Sequence, residues 1–241
     1  MSHVKIKFCG ITNPEDAELA VSLDAWAVGM IMWEHSPRAV TVDEAAEIGA
    51  ALKRRAEVVG VFVNPTLEEV SSAADIAGLT ILQLHGDEGP VFCNEAARRT
   101  GCKIIKAARV RDNADIQAVH AFRTDFHLLD SYVKGVPGGT GETFDWQLLR
   151  RQRSKVPLIL SGGLTPENVD EAIGIVGPFA VDVSSGVEEL GNPRRKDPAR
   201  MAAFAAAVAP AVEESIEEPL AEPSDDLHAE PPAQPMVADE A

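Results

Sequence analysis

Short apolar runs recur along the first 210 residues, and segments with helical periodicity separate them. The runs are rich in Val, Ile, Leu and Phe and follow one another at intervals of roughly 20 to 30 residues, which indicates a repeated strand-helix unit. We predict eight strands, each followed by a helix. The strands are predicted to begin near Val4, Ala25, Glu57, Leu79, Lys103, Phe126, Val156 and Phe179.

Helix start signals lie between several of these runs. A capping side chain followed by proline, or Thr followed three residues later by Glu, is typical of the first turn of a helix. These signals stand at Asn13-Pro14, Thr41…Glu44, Thr66…Glu69, Thr165-Pro166 and Asp197-Pro198.

The strand cores, such as residues 58–63 and 158–160, are continuously apolar and do not alternate with polar positions. This pattern is typical of parallel strands that are covered by helices on one side and face a barrel interior on the other. Eight strand-helix units predict an α/β fold, a (β/α)8 barrel. The alternative is a doubly wound open sheet, but the first strand leads into residues 8–13 without a glycine-rich dinucleotide turn.

Composition agrees with a globular domain, because 45% of the 241 residues are hydrophobic. The longest apolar run, residues 25–33, is nine residues long, whereas a membrane-spanning helix needs roughly 20. The first residues also lack the plan of a signal peptide. We therefore expect a cytoplasmic protein with no membrane partner, and leave open whether it is a monomer or a homodimer.

The negative charge is concentrated at the C-terminus. Residues 213–241 hold ten acidic residues and no Lys or Arg. Of the net charge of −16, the rest of the chain therefore carries −6. This segment mixes Glu, Asp, Pro and Ala with few large apolar residues, so it is predicted to be disordered. We expect a barrel domain over 1–210, an acidic tail over 211–241, and no nucleic-acid partner. A docking segment for a basic partner is the alternative for the tail.

Three cysteines, Cys9, Cys93 and Cys102, are an odd number without a C-x-x-C motif. Neither a disulfide framework nor a zinc-binding spacing is available, so free thiols are expected. Cys93 and Cys102 flank the fourth predicted helix and are interpreted as structural. Cys9 ends the first strand, where active sites of such barrels lie, and could serve as nucleophile or base or could simply pack in the core.

Other strand ends carry further candidates. Asp130 follows three apolar residues at the end of the sixth strand, so it is more simply explained as a site residue than as surface decoration. Arg38, after the second strand, could hold a carboxylate or phosphate, although a single loop arginine is ordinary. His85, at the end of the fourth strand, is a minor candidate for the site.

Small residues follow the seventh and eighth strands. The small residues of Ser161-Gly-Gly-Leu-Thr165 and Asp182-Val-Ser-Ser-Gly186 let the backbone N–H groups of two adjacent loops approach an anion. These two loops commonly form the phosphate site of such barrels, so a phosphorylated substrate is predicted. The third strand ends without glycines, which favours a single phosphate.

The chain resembles the phosphoribosylanthranilate isomerase family from about Val4 to Pro210. Motifs of that family occur here in the same order. They are Lys7-Phe-Cys-Gly-Ile-Thr12, Ser36-Pro-Arg38, Gly60-Val-Phe-Val-Asn64, Gln83-Leu-His-Gly86, Leu129-Asp130, Gly138-Gly-Thr-Gly141, Phe144-Asp-Trp146, Leu160-Ser-Gly-Gly-Leu164 and Asp182-Val-Ser-Ser-Gly-Val-Glu188.

The resemblance implies an Amadori rearrangement in tryptophan biosynthesis, an aldose-ketose isomerisation that needs no metal or organic cofactor. The resemblance implies that Asp130 is the general acid that opens the ribose ring and that Cys9 is the general base that removes the C2 proton. These roles require a protonated carboxyl beside a thiolate, so both pKa values must be displaced.

The resemblance also implies the substrate contacts. Arg38 corresponds to the residue that holds the anthranilate carboxylate, Asp182 to one that contacts the anthranilate amino group, and the loop around Gly139 covers the site. His85 is assigned to substrate binding. The phosphate is expected on the backbone of Gly162, Gly163, Ser184 and Ser185.

Three alternatives stay open at this point. The histidine-pathway phosphoribosyl isomerase performs the same rearrangement, but its family has an aspartate at the position of Cys9 and two phosphate loops. Ribulose-phosphate epimerases need His and Asp metal ligands, and the loop at His35 lacks the second ligand. A barrel that binds a phosphorylated metabolite without turnover would not need both Cys9 and Asp130.

Overall fold

Eight parallel strands form a closed barrel in which the first strand pairs with the last. The structure is a computed structural model that describes residues 3–52, 54–131, 146, 149 and 154–209. Every strand begins within two residues of its predicted start, and the predicted (β/α)8 barrel is confirmed. The strands are β1 Lys5–Cys9, β2 Ala27–Ile31, β3 Glu57–Phe62, β4 Ile81–Leu84, β5 Lys103–Val110, β6 Phe126–Ser131, β7 Leu158–Ser161 and β8 Ala180–Val183.

Seven α-helices alternate with these strands in the described part of the chain. The helix predicted between β6 and β7 falls mainly on residues outside it. None of the described helices has the length and apolar character needed to cross a membrane. The helices are α1 Pro14–Ser22, α2 Val42–Leu52, α3 Leu67–Ala77, α4 Pro90–Thr100, α5 Asn113–Val119, α6 Val169–Val176 and α7 Pro198–Val208.

Most of the predicted caps form. Asn13 accepts a hydrogen bond from the Asp16 N–H at the start of α1, and Thr66 and Glu69 make a reciprocal capping box on α3. The signal at Thr165 is displaced: α6 begins at Val169, after the N-cap residue Asn168. The Asn168 Oδ1 accepts from the Thr165 N–H at 2.8 Å, so residues 165–168 form a turn before the helix.

Apolar side chains lie on both faces of the strands. One buried cluster, including Phe8, Met30 and Phe204, fills the space between strands and helices. A second cluster, including Val59 and Ile105, fills the barrel interior. Two apolar faces explain why the strand cores are continuously hydrophobic. The interior becomes polar toward the carboxyl ends of the strands, where a candidate site is expected.

A hairpin after β8 departs from the predicted pattern. Its strands are β9 Glu188–Glu189 and β10 Asn192–Lys196, and they pair with each other outside the barrel. The hairpin contacts the first turn of α1, because the Lys196 N–H donates to Asp16 Oδ2 at 3.0 Å. Its sequence is mostly polar and charged, so it carries none of the apolar signal that predicted the other strands.

Two predictions fall outside the described residues. They are the acidic tail over 211–241 and the loop around Gly139. Cys93 and Cys102 are buried and free, as expected. The Cys102 thiol lies 3.2 Å from the Leu79 carbonyl oxygen, which agrees with a structural role.

Candidate active site

The thiol of Cys9 lies at the carboxyl end of β1, inside the mouth of the barrel. It is 6% exposed. Burial raises the pKa of Cys9 above its ordinary value, and the nearby Lys7 ammonium opposes that rise. The thiol is therefore shielded from water and adjacent to a positive charge.

Lys7 and Asp182 form a buried ion pair beside this thiol. They are in register on the neighbouring strands β1 and β8, and Lys7 Nζ lies 2.7 Å from Asp182 Oδ1. Ser161 Oγ, at the end of β7, lies 3.2 Å from the other carboxylate oxygen of Asp182. Side chains from the two neighbouring strands β1 and β7 thus fix the Asp182 carboxylate inside the barrel.

Asp130, near the end of β6, faces His85, which directly follows β4. Their closest side-chain atoms, Asp130 Oδ2 and His85 Nε2, are 3.6 Å apart. Burial raises the pKa of Asp130, and the Asp182 carboxylate adds to this effect. Burial lowers the pKa of His85. Both shifts favour the neutral forms, so Asp130 is suited to hold a proton.

Arg38 projects from the loop after β2 and pairs with Glu188 at the start of the hairpin. The same carboxylate binds Lys196, whose Nζ lies 3.0 Å from Glu188 Oε1 and 3.1 Å from the Ser184 carbonyl oxygen. Burial acts to raise the pKa of Glu188, but the hydrogen bond from Arg38 and the charge of Lys196 outweigh it and lower that pKa. Glu188 therefore stays ionised and joins the arginine loop to the loop after β8.

The two predicted phosphate loops lie against each other. Gly162 and Gly163 have φ values of +96° and +64°, which favour glycine. A side chain on Gly186 would clash with the Leu164 carbonyl oxygen of the facing loop. Small residues thus allow the close approach of two backbone segments, an arrangement suited to binding an anion through N–H groups.

The structure brings the predicted residues into connected groups. Asp182 is paired with the Lys7 ammonium, the Cys9 sulfur lies close to the same ammonium over Gly29, and Asp130 faces His85. Arg38 lies beside Ser184, since a side chain built on Gly10 would have its first carbon 2.7 Å from Arg38 Cδ and 2.9 Å from Ser184 Oγ. A carboxyl group, a thiol, an arginine and two glycine-containing loops therefore share one barrel mouth.

Sequence reasoning did not assign Lys7, Glu188 or Lys196. A signal existed for Lys7, because a lysine two residues before Cys9 lies on the same face of an otherwise apolar strand. Glu188 is the last residue of the family motif at 182–188, but the resemblance assigned no role to it. Lys196 had no signal, since it lies among the charged residues of the hairpin and is buried only by the tertiary fold.

Among the described residues, no group of three or more His, Cys, Asp or Glu side chains is arranged to hold a metal ion.

Comparison with known proteins places this geometry in a family. Residues 6–207 match the family model described as N-(5'phosphoribosyl)anthranilate (PRA) isomerase. The N-(5'-phosphoribosyl)anthranilate isomerase of Pseudomonas fluorescens is 48% identical over 206 residues, which cover 85% of this chain and 95% of that protein.

Solved structures agree. Phosphoribosyl anthranilate isomerase from Thermotoga maritima superimposes with a TM-score of 0.78 at 40% identity, covering 85% of this chain and 98% of the other. A phosphoribosyl anthranilate isomerase in complex with reduced 1-(o-carboxyphenylamino)-1-deoxyribulose 5-phosphate superimposes with a TM-score of 0.74 at 37% identity, with the same coverage. This chain matches these relatives along nearly the whole described length of its barrel, and it belongs to the N-(5'-phosphoribosyl)anthranilate isomerase family.

Proposed function

We propose that this chain catalyses the Amadori rearrangement of N-(5'-phosphoribosyl)anthranilate to the 1-deoxyribulose 5-phosphate product, in the cytoplasm, as a step of tryptophan biosynthesis. The observation that carries the proposal is the presence of a buried thiol, Cys9, and a partly buried carboxyl of raised pKa, Asp130, at the mouth of a barrel of this family. One group can accept a proton and the other can donate one.

Asp130 acts first, as the general acid. It protonates the ribose ring oxygen, the C1–O bond breaks, and the nitrogen lone pair forms a Schiff base at C1. The raised pKa of Asp130 supports this role, because the carboxyl retains its proton at a pH where an exposed aspartate has lost it. The charge interaction with His85, whose Nε2 lies 3.6 Å from Asp130 Oδ2, opposes this rise in pKa, but burial outweighs it.

Cys9 acts second, as the general base. Its thiolate removes the C2 proton, and the electron pair of the C2–H bond moves toward C1 to give an enolamine. Tautomerisation of the enolamine, with protonation at C1, yields the ketone. The reaction is an isomerisation, so no external oxidant or reductant is required.

The remaining site residues hold the two ends of the substrate. Arg38 would bind the anthranilate carboxylate, Asp182 the amino group, and the backbone of Gly162, Gly163, Ser184 and Ser185 the phosphate. The compound bound in the related complex carries a carboxyphenyl group and a 5-phosphate, which supports a site that binds both a carboxylate and a phosphate. Gly139, assigned to the same pocket, lies outside the described residues.

The test is a direct activity assay on freshly generated phosphoribosylanthranilate. The loss of anthranilate fluorescence is used to monitor the reaction. We expect turnover by the full chain and none above background by the Cys9→Ala/Asp130→Asn double variant, which serves as the control. A folded chain that binds the substrate without converting it would favour the metabolite-binding alternative. Parallel incubation with the histidine-pathway substrate tests the related isomerase activity.

A further inference from the structure

A lysine is buried beside the proposed base. Lys7 is 0% exposed, and its Nζ lies 2.7 Å from Asp182 Oδ1. Burying an ammonium group is costly unless an opposite charge is close, so this position is occupied for a reason beyond packing. The Asp182 carboxylate accounts for only part of the hydrogen-bonding capacity of an ammonium, which has three donors.

The second neighbour of Lys7 is the Cys9 sulfur. The two side chains are two positions apart on β1, so both point into the barrel. They lie together over Gly29 of β2. A side chain built on Gly29 would have its first carbon 3.0 Å from Cys9 Sγ and 3.0 Å from Lys7 Nζ, so the two atoms are at most twice that distance apart.

We propose that Lys7 is a positioning residue that stabilises the thiolate form of Cys9, by sharing one buried positive charge between the Cys9 sulfur and the Asp182 carboxylate. The proposal rests on the function proposed above, in which Cys9 acts as a base. Neither the sequence nor the family resemblance assigned a counter-charge to the Cys9 thiolate. The Lys7 ammonium provides this charge in a site shielded from water.

The other charges around Cys9 do not replace Lys7. Asp182, on β8, disfavours the thiolate, whereas Lys196, on β10, favours it. Arg38, from the loop after β2, also interacts with Cys9. Arg38 and Lys196 share the single Glu188 carboxylate, which compensates only one of their two charges, but Lys7 acts on the Cys9 sulfur more strongly than Lys196 does.

Sharing one cation makes the two partners competitors. Burial acts to lower the pKa of Lys7, but the charges of Asp182 and Cys9 together raise it above its ordinary value. When the Asp182 carboxylate engages a substrate amino group, its hold on Lys7 weakens and the ammonium is freed for Cys9. Substrate binding at Asp182 would thereby favour the thiolate that the next step requires.

The test measures the ionisation of Cys9 without substrate. The full chain is labelled with [3-¹³C]cysteine, the Cβ resonances are followed against pH by NMR, and the Cys9 signal is assigned with a Cys9→Ser variant. Lys7→Met alone would leave Asp182 buried without its cation, so Lys7 is replaced in an Asp182→Asn background. We expect Asp182→Asn to lower the Cys9 midpoint, and the added Lys7→Met to raise it again by at least about one pH unit.

A matched control is the second buried lysine pair, Lys106 and Glu88, whose Nζ and Oε2 atoms are 2.8 Å apart. Lys106→Met/Glu88→Gln should leave the Cys9 midpoint in place. In the Lys7→Met/Asp182→Asn variant, Cys9 can remain a thiol up to the highest pH at which the protein is folded. That result counts as a raised midpoint. Equal midpoints with and without Lys7, or a Cys9 that never ionises in the Asp182→Asn variant, would overturn the proposal. Because no turnover is measured, a failed activity assay would be a separate result.

Discussion

Arg38 and Glu188, 150 residues apart in sequence, form a two-bonded ion pair at the barrel mouth. Arg38 Nε lies 2.5 Å from Glu188 Oε1, and Arg38 Nη2 lies 2.9 Å from Oε2. This geometry is the bidentate fork by which arginine binds carboxylates most tightly. It occupies the Nε and Nη2 edge of the guanidinium and fixes the orientation of this group.

The first prediction concerns Glu188→Gln. An amide oxygen accepts more weakly than a carboxylate and cannot neutralise Arg38 and Lys196, so the guanidinium loses its fixed orientation. We expect KM for phosphoribosylanthranilate to rise roughly tenfold with a smaller change in kcat, measured by steady-state fluorescence kinetics. Glu189→Gln, at the exposed neighbouring position, is the control. An unchanged KM in Glu188→Gln would show that the ion pair does not position Arg38.

The second prediction concerns Arg38→Ala. The variant should weaken binding of the reduced product analogue by about 2 kcal/mol or more while sparing ribose 5-phosphate, because only the former has a carboxylate to lose. Titration calorimetry with both ligands distinguishes the two effects. Arg98→Ala, on the surface of α4, controls for the loss of one positive charge. Equal losses for both ligands would contradict carboxylate recognition by Arg38.

Sequence predicted the barrel well because its signal is local. Each strand is an apolar run and most helices begin at a recognisable cap, as at Asn13 and Asp197. The hairpin that carries Lys196 was missed, since it buries its key side chain through contacts with residues far along the chain. Position at a strand end is the signal that makes Cys9 and Asp130 candidates for the site. It could not show the ion pairs around them, which depend on the register between strands.

The third prediction separates the proposed catalytic groups. Cys9→Ala and Asp130→Asn should each lower kcat by at least about a hundredfold, the usual contribution of a general acid or base. Binding of the product analogue should largely survive, since neither group is assigned to binding. Cys93→Ala removes a buried thiol in α4 away from the mouth and should retain kcat. Near-normal kcat in either site variant would exclude the role assigned to that residue.

The fourth prediction is a pH dependence of stability. The folded structure lowers the pKa of Glu188, so the carboxylate stabilises the fold fully above the pKa of an unfolded glutamate, about 4.3, and progressively less as pH falls through the folded value. We expect wild type to exceed Glu188→Gln in the free energy of unfolding by about 1 to 3 kcal/mol at pH 7. The difference should shrink below pH 4. Urea unfolding at pH 7 and pH 3 measures it, and an equal difference at both would refute the linkage.

The last prediction concerns the C-terminal acidic segment. The family match ends at residue 207 and α7 ends at Val208, so the repeated strand-helix pattern is complete before the segment begins. We expect truncation after Val212 to leave the melting temperature within about 2 °C and kcat unchanged, because the segment's composition offers no apolar face to dock on a barrel. Removing ten negative charges should at most speed capture of the anionic substrate, and that effect should fade as salt screens the field. Measuring melting temperature and kcat/KM at two ionic strengths tests both statements. A truncated protein that melts several degrees lower, or loses activity at high salt, would show that the boundary between domain and tail lies later in the chain.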